Sequence, residues 1–144
     1  MRATSYDHYA DDNSALQVGE VPDPKVGPGA VLVKVRAAGV NPVDWKVMTG
    51  GLDDLIDTTF PVIPGWDVAG EVVALGPDTP EFSVGDEVIS YARKHVIAGG
   101  TFAELVAVPA ADLAPKPASL SWEEAGGLPL AGLTALAALR AVGI

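Results

Sequence analysis

A glycine-punctuated apolar segment at residues 64–76 constrains the fold more than any other part of this chain. It reads Pro-Gly-Trp-Asp-Val-Ala-Gly-Glu-Val-Val-Ala-Leu-Gly, and after a short loop residues 84–88 read Val-Gly-Asp-Glu-Val. Glycine lets a strand bend or another backbone approach closely, and here apolar residues fill the positions between the glycines. The pattern predicts a tightly curved, antiparallel corner of a β-barrel.

The composition indicates one folded domain. The chain has 144 residues, of which 49% are hydrophobic and 19% charged, enough to bury a core without disulfides or metal ions. It carries 19 acidic against 9 basic residues, a formal net charge of −10. This argues against a nucleic-acid partner, because phosphate contacts need clustered Lys and Arg. The absence of cysteine excludes disulfides and thiolate zinc sites.

No segment predicts export or membrane insertion. The longest apolar stretch, Leu128 to Ala138, falls well short of the roughly 20 residues that cross a bilayer. No basic region precedes an apolar run at the N-terminus, so a signal peptide is not expected. We expect a soluble, cytoplasmic protein without a membrane partner.

Short strands separated by turns rich in Gly and Pro favour a barrel. Residues 31–36 show the strand pattern clearly, because the valines at alternate positions share one face while Lys34 and Arg36 lie on the other. Further strands are predicted at Met1–Tyr6, Leu16–Val21, Asp67–Leu75, Glu87–Tyr91 and Phe102–Val108.

Three helices are predicted. Asn41-Pro42 opens a short one, with Asn41 as N-cap. Ser121-Trp122-Glu123-Glu124 is a capping box that begins a second, interrupted at residues 126–129. The third runs from about Pro129 to Val142 and is rich in Ala and Leu. A helix this apolar requires burial on nearly all sides, and we expect contact with the barrel alone to leave an apolar patch on its surface.

Several segments, in this order, resemble the substrate-side domain of the medium-chain dehydrogenase/reductase family: Gly39–Lys46, Pro64–Gly76, Gly100–Val106 and Leu128–Ala135. The resemblance implies a mainly β chain with a GroES-like, partly open β-barrel and C-terminal helices. Residues 1–125 would form the GroES-like domain, similar to the N-terminal domain of alcohol dehydrogenases. Residues 126–144 would connect it to a cofactor-binding Rossmann domain. No G-x-G-x-x-G occurs, so we expect that domain to be absent from this chain.

Two residues select a branch of the family. Asn41 and Trp66 stand where zinc-dependent members carry a cysteine and a histidine, and neither a carboxamide nor an indole suits zinc. The chain therefore resembles the zinc-independent quinone oxidoreductases and enoyl reductases. These transfer a hydride from NADPH to a quinone or an α,β-unsaturated carbonyl. We expect NADPH to be bound mostly by the absent domain, and this chain alone to be inactive.

The resemblance places Asn41 near nicotinamide and substrate, where its amide could donate to a developing enolate oxygen. An Asn before Pro is equally common as a turn or N-cap residue. Lys46 stands where some members have a tyrosine proton donor; it could reach substrate or a cofactor phosphate, or be a solvated surface lysine. Asp44 could order this loop, with solvation the alternative role.

Three further side chains have both a functional and a structural interpretation. Trp45 and Tyr91 could line the substrate pocket, but an aromatic residue on a helix face or in a strand often serves only packing. Thr134 matches a family position facing the nicotinamide, where its hydroxyl could bind the carboxamide. Alternatively, that hydroxyl bonds back to a carbonyl of its own helix. The basic run Arg93-Lys94-His95 predicts a solvated loop, with approach to a cofactor phosphate as the alternative.

Two other functions stay open at this stage. The chain could be a non-enzymatic interaction module whose C-terminal helix docks another protein or forms a homo-oligomer. It could also be one subunit of a split enzyme whose cofactor domain is a separate polypeptide.

Overall fold

A computed structural model describes all 144 residues. It contains nine strands and three α-helices. In chain order these are β1 Arg2–Ser5, β2 Gln17–Glu20, β3 Ala30–Ala37, α1 Pro42–Met48, β4 Thr58–Ile63, β5 Asp67–Leu75, β6 Glu87–Tyr91, β7 Ile97–Gly99, β8 Leu105–Pro109, β9 Leu113–Pro115, α2 Trp122–Gly127 and α3 Pro129–Ala141. No helix is long and apolar enough to cross a membrane.

The main sheet has five strands in the order β8-β3-β5-β6-β9, and every pairing in it is antiparallel. Strands β1 and β2 form an antiparallel pair, and β4 pairs with β7 in parallel. The edge strands β8 and β9 do not pair with each other, so the sheet curves without closing. This confirms the predicted mainly β fold with a partly open barrel and C-terminal helices.

The glycine-punctuated segment forms β5, which lies at the centre of the sheet rather than at a corner. Its pairing with β3 shifts register at two places, and such irregularities bend a strand. A Cβ at Gly70 would come within 2.4 Å of the Lys34 carbonyl oxygen. Gly65, just before β5, has φ +93 and no space for a side chain beside Thr101. The glycines therefore allow the close approach and the bend that their spacing predicts.

Two clusters of buried side chains hold the molecule together. The larger one consists mostly of valines that point inward from the sheet: Val31, Val33, Val68, Val72, Val88, Val106 and Val108. The smaller one packs α1 against β4, β7 and the N-terminal segment, through Tyr6, Ala15, Val47, Met48, Val62 and Ile97. Together they fix the start of α1 close to the start of β5.

The helices begin where predicted. The capping box is present, since the Glu124 backbone N–H donates to Ser121 Oγ at 3.2 Å and the Ser121 N–H donates to Glu124 Oε2 at 2.9 Å. The predicted apolar patch on α3 is present, since Leu133 and Leu139 are 52% and 47% exposed. Within the chain, α3 packs against α2, β5 and β6.

Sequence patterns missed three strands and misplaced one break. Strands β4, β7 and β9 are short, or contain proline, which weakens a strand pattern. They are held by pairing with partners distant in sequence. The glycines at 126 and 127 belong to α2, and the helix break falls at Leu128.

Candidate functional site

Asn41 occupies the N-cap position of α1, as its place before Pro42 predicts. Its side-chain Nδ2 donates a hydrogen bond of 2.8 Å to Asp67 Oδ2. Asp44, one turn into α1, accepts from the Asn41 backbone N–H at 2.7 Å. Of the two roles predicted for Asp44, the structure has the one in which it orders this loop. The side chain is buried and not solvated. The result is a fixed carboxamide at the start of α1.

Asp67 is the residue that joins the parts of the site. It is the first residue of β5 and is completely buried. Its Oδ1 accepts the backbone N–H of Leu130 at 2.9 Å. This N–H lies in the first turn of α3, where it has no partner within the helix. Burial raises the pKa of Asp67, and the hydrogen bonds from Asn41 and Leu130 partly offset that rise.

A small cavity of about 140 Å³ lies beside the Asn41 carboxamide. Trp45, which is 56% exposed, forms part of its wall, and Phe102 and Met48 form other parts. Asp44 also lines it, and its burial raises the pKa of that carboxyl. A mostly apolar hollow with one fixed amide is the kind of site that holds a small ligand by its carbonyl group.

Tyr91 lines a different hollow. This groove of about 430 Å³ runs between α3 and strands β6 and β9, and its walls include Leu133 and Leu136. Tyr91 lies opposite Asp67 in the sheet, and its ring meets that of Trp66 edge to face at 6.1 Å between centroids. Trp45 and Tyr91 therefore do not line a common pocket.

Lys46 and Thr134 line neither hollow. Lys46 is exposed, with its Nζ 5.8 Å from the centre of the Trp45 ring. The Thr134 hydroxyl is exposed on α3 and makes no hydrogen bond within the chain, unlike that of Thr49, which donates to the Lys46 carbonyl at 3.0 Å. The alternative in which Thr134 bonds back to its own helix is not what the structure has.

Sequence reasoning missed the central residue, Asp67. The available signal was a carboxylate at the start of a strand in which the only other charged residue is Glu71. Lys94 was also misjudged, because it is half-buried rather than solvated. It lines a small hollow with Trp66 and lies beside Gly99, and burial lowers its pKa.

The residues at the two positions that correspond to zinc ligands are poorly suited to bind zinc. Asn41 and Trp66 stand there, and no cluster of three His, Cys, Asp or Glu side chains is placed to hold a metal ion. A carboxamide and an indole do not match the thiolate and imidazole donors that tetrahedral zinc prefers.

Comparison with curated proteins finds relatives along nearly the whole chain. A quinone oxidoreductase, QR1, of Triphysaria versicolor is 41% identical over 139 residues, which cover 96% of this chain and 42% of that protein. A 2-methylene-furan-3-one reductase of Solanum lycopersicum is 37% identical over 147 residues, covering 99% of this chain and 38% of the relative. The chain thus spans about two fifths of the length of these relatives.

Solved structures show the same fold. A mycobacterial protein complexed with NADPH superposes with a TM-score of 0.87 and 31% identity, over 99% of this chain and 42% of that one. The alcohol dehydrogenase GroES-like domain family matches residues 27–118, which include β3, α1, β5 and the Asn41–Asp67 pair. The chain therefore belongs to the alcohol dehydrogenase GroES-like domain family.

Proposed function

We propose that this chain is the substrate-side domain of a zinc-independent, NADPH-dependent oxidoreductase that reduces quinones or α,β-unsaturated carbonyls. The observation that carries the proposal is the Asn41 carboxamide, held by Asp67 beside a mostly apolar cavity. The relatives support the substrate class, because one is a quinone oxidoreductase and another a 2-methylene-furan-3-one reductase. The mycobacterial complex with NADPH supports the cofactor.

The proposed work of the site is to bind and polarise a carbonyl group. Asn41 Nδ2 carries two hydrogens and gives one to Asp67, so the second is available to a substrate oxygen. A donor fixed in advance stabilises negative charge that develops on that oxygen, and it needs no reorganisation during the reaction. Trp45 and Phe102 supply apolar walls that limit the access of water.

The outer surface of α3 fits an uncharged cofactor ring. Thr134 exposes a free hydroxyl there, and Arg140 is the only charged residue of the helix. The hydroxyl could bind the nicotinamide carboxamide, whereas nothing near it would bind a phosphate. When bound, the cofactor would supply the hydride. The phosphates would then be held by a cofactor-binding domain docked against α3.

Lys46 is proposed as a source of the proton, because its ammonium lies near Trp45, which lines the cavity. Its ammonium is exposed beside Trp45, so it can exchange protons with water. Position 46 holds this lysine instead of the tyrosine that some family members use as a proton donor. Because Lys46 is exposed, it could deliver a proton to the substrate only at the edge of the cavity.

A chimaeric enzyme tests the proposal. Residues 1–144 would replace the matching N-terminal part of the Triphysaria versicolor quinone oxidoreductase, to which they are 41% identical. We expect the chimaera to oxidise NADPH with a quinone or an enone and the isolated chain to be inactive. Asn41→Ala in the chimaera should lower kcat/KM by about 100-fold. A folded chimaera without activity, or an undiminished Asn41→Ala variant, would contradict the proposal.

Independence from zinc has its own measurement. Because Asn41 and Trp66 stand at the two ligand positions and no cysteine is present, we expect no stoichiometric zinc in purified protein. Metal analysis of chain and chimaera, prepared without chelators, should find much less than one zinc per chain. One zinc per chain would overturn this part of the proposal.

A second candidate role follows from α3. Its exposed leucines form an apolar surface suited to a partner, either a cofactor-binding domain or a second copy of this chain. Both partners fit the enzymatic proposal, and activity of the chimaera distinguishes it from a purely non-enzymatic docking module.

A further inference from the structure

Asp67 lies where three separate parts of the chain meet. Its own strand, β5, is the centre of the sheet. One carboxylate oxygen accepts from Asn41, just before α1, and the other from the backbone of Leu130, in the first turn of α3. No other side chain hydrogen-bonds to both of these segments.

We propose that Asp67 is a positioning residue: it sets which way the Asn41 carboxamide points and ties that group to the start of α3. The effect on substrate binding rests on the proposed function. The orientation of Asn41 itself is a property of this chain and can be measured without a ligand.

The chemistry of the two side chains carries the first part of the proposal. An ionised carboxylate only accepts hydrogen bonds, whereas a carboxamide has a donating NH₂ end and an accepting oxygen end. Facing Asp67, Asn41 must therefore present its NH₂ end, as it does at 2.8 Å. An Asn at position 67 that keeps its oxygen on the Leu130 N–H would turn its own NH₂ group toward Asn41, so Asn41 would have to present its oxygen end instead.

The hydrogen bond from the Leu130 N–H to Asp67 supports the second part of the proposal, the link between Asn41 and the start of α3. Leu130 lies one helical turn before Thr134, so a group that fixes the start of α3 also fixes the helix that presents the Thr134 hydroxyl. Asp67 thus connects the proposed substrate donor, Asn41, to the proposed cofactor contact, Thr134. Both groups take their positions from one buried carboxylate.

Capping of α3 alone does not account for Asp67. The residue before α3 is Leu128, which offers no side-chain cap, and a Ser or Asp there would satisfy the same N–H on the surface. Burying a carboxylate completely is costly unless both oxygens are paired. Both are paired here, one with the helix and one with Asn41, so the arrangement serves two groups at once.

The first experiment compares the ¹⁵N-labelled chain with its Asp67→Asn variant by NMR. We expect the Asn41 side-chain NH₂ signals to shift, because the carboxamide turns over and its NH₂ group no longer donates to residue 67. The affinity for 2-cyclohexen-1-one, followed by titration, should weaken about 2- to 10-fold. Cyclohexene, which lacks the carbonyl, should bind equally to both proteins.

A matched control separates this effect from a general loss of a carboxylate. Asp86 accepts a backbone N–H, that of Ser83, at 2.8 Å in an exposed turn, and Asp86→Asn should leave the Asn41 signals and enone affinity unchanged. If Asp67→Asn leaves the Asn41 signals where they are in the wild type, the proposal is overturned. If the wild type binds no enone but the Asn41 signals still respond, the positioning role stands and the proposed function fails.

A double variant keeps the test decisive even if Asp67→Asn unfolds. Asn41→Asp with Asp67→Asn exchanges the two groups, so that an amide at 67 can donate to a carboxylate at 41 and still accept from Leu130. We expect the double variant to give the NMR spectrum of the folded chain. Its affinity for 2-cyclohexen-1-one should stay below that of the wild type, because an acceptor now faces the substrate oxygen. Recovery of enone affinity together with the fold would refute a role in orienting Asn41.

Discussion

The centre of the sheet and helix α3 are built from the same kinds of residue and have opposite surroundings. Val33, Val68 and Val72 are 0% exposed, because strands on both sides and inward-facing side chains cover them. Leu133, Leu136 and Leu139 are 52%, 43% and 47% exposed. Apolar composition therefore indicates that a segment requires a covering partner, and it does not say that the partner lies within the same chain.

The largest effect is expected when an aspartate is introduced into the centre of the sheet and, for comparison, into α3. Val72→Asp would bury an unpaired carboxylate in the sheet and should prevent folding, since the cost of several kcal/mol is comparable with the total stability of about 5–15 kcal/mol. Leu136→Asp on α3 should change the free energy of unfolding by less than about 0.5 kcal/mol. Urea unfolding followed by circular dichroism measures both. Similar losses for the two variants would mean that α3 belongs to the core.

Two threonine hydroxyls sharpen the comparison. Thr79 is buried near the sheet and donates to the Gly76 carbonyl at 2.7 Å, so Thr79→Val should cost about 1–3 kcal/mol of stability. Thr134→Val should leave stability unchanged but weaken NADPH affinity or hydride transfer in the chimaera by roughly 5- to 150-fold. Thermal melts and steady-state kinetics on both variants check this. Unaltered NADPH kinetics for Thr134→Val would remove Thr134 from the site.

Self-association tests the surface of α3 directly. We expect the isolated chain to associate at high concentration through this helix, because exposed apolar patches of this kind are rare on monomers. Replacing Leu133 and Leu136 by Glu should weaken association by at least about 10-fold. Val18→Glu, at a valine of β2 that is 64% exposed, is the control and should have no effect. A monomeric wild type in light scattering would contradict the expectation.

The smallest expected effect is a dependence of the free energy of unfolding on pH, which comes from the buried carboxyl group of Asp44. Burial raises the pKa of Asp44, and the nearby charge of Asp67 adds to the rise. The stabilisation linked to a raised carboxyl pKa is complete below the unfolded value of about 3.9 and is lost as the pH rises through the folded value. Asp44→Asn should therefore cost more unfolding free energy at about pH 3 than at about pH 7.

Urea unfolding at the two pH values measures that difference. Arg140→Gln, on the exposed helix α3, provides the control. It should change the free energy of unfolding by the same small amount at both pH values. An Asp44→Asn cost that is equal at both values, or larger at neutral pH, would show that ionisation of Asp44 does not oppose folding.

Much of the fold could be predicted because its signals are local. Alternating valines predicted β3, and the capping box at Ser121 predicted α2. The parallel pair β4–β7 could not be predicted, because its partners lie more than 30 residues apart and each strand is short or contains proline. The partial exposure of α3, by contrast, could be predicted, because its apolar residues occupy more than one helical face and contact with the barrel covers only part of them.

The site was less predictable than the fold. Resemblance identified Asn41, but its hydrogen bond to Asp67 joins residues 26 positions apart and leaves no pattern in the sequence. Trp45 and Tyr91 were both predicted to line the substrate pocket, and in this chain they border separate hollows. Side chains meet across a fold in ways that a linear motif does not record.

The pairing of Asp67 with Asn41 also restricts how these two positions can change over generations. Asn41→Asp alone would set two carboxylates against each other, and Asp67→Asn alone would set two NH₂ groups against each other until the Asn41 carboxamide turned over. Each single step weakens the protein, whereas the two together restore a donor opposite an acceptor. An intermediate that carries one change is therefore at a disadvantage, and we expect positions 41 and 67 to be inherited as a unit.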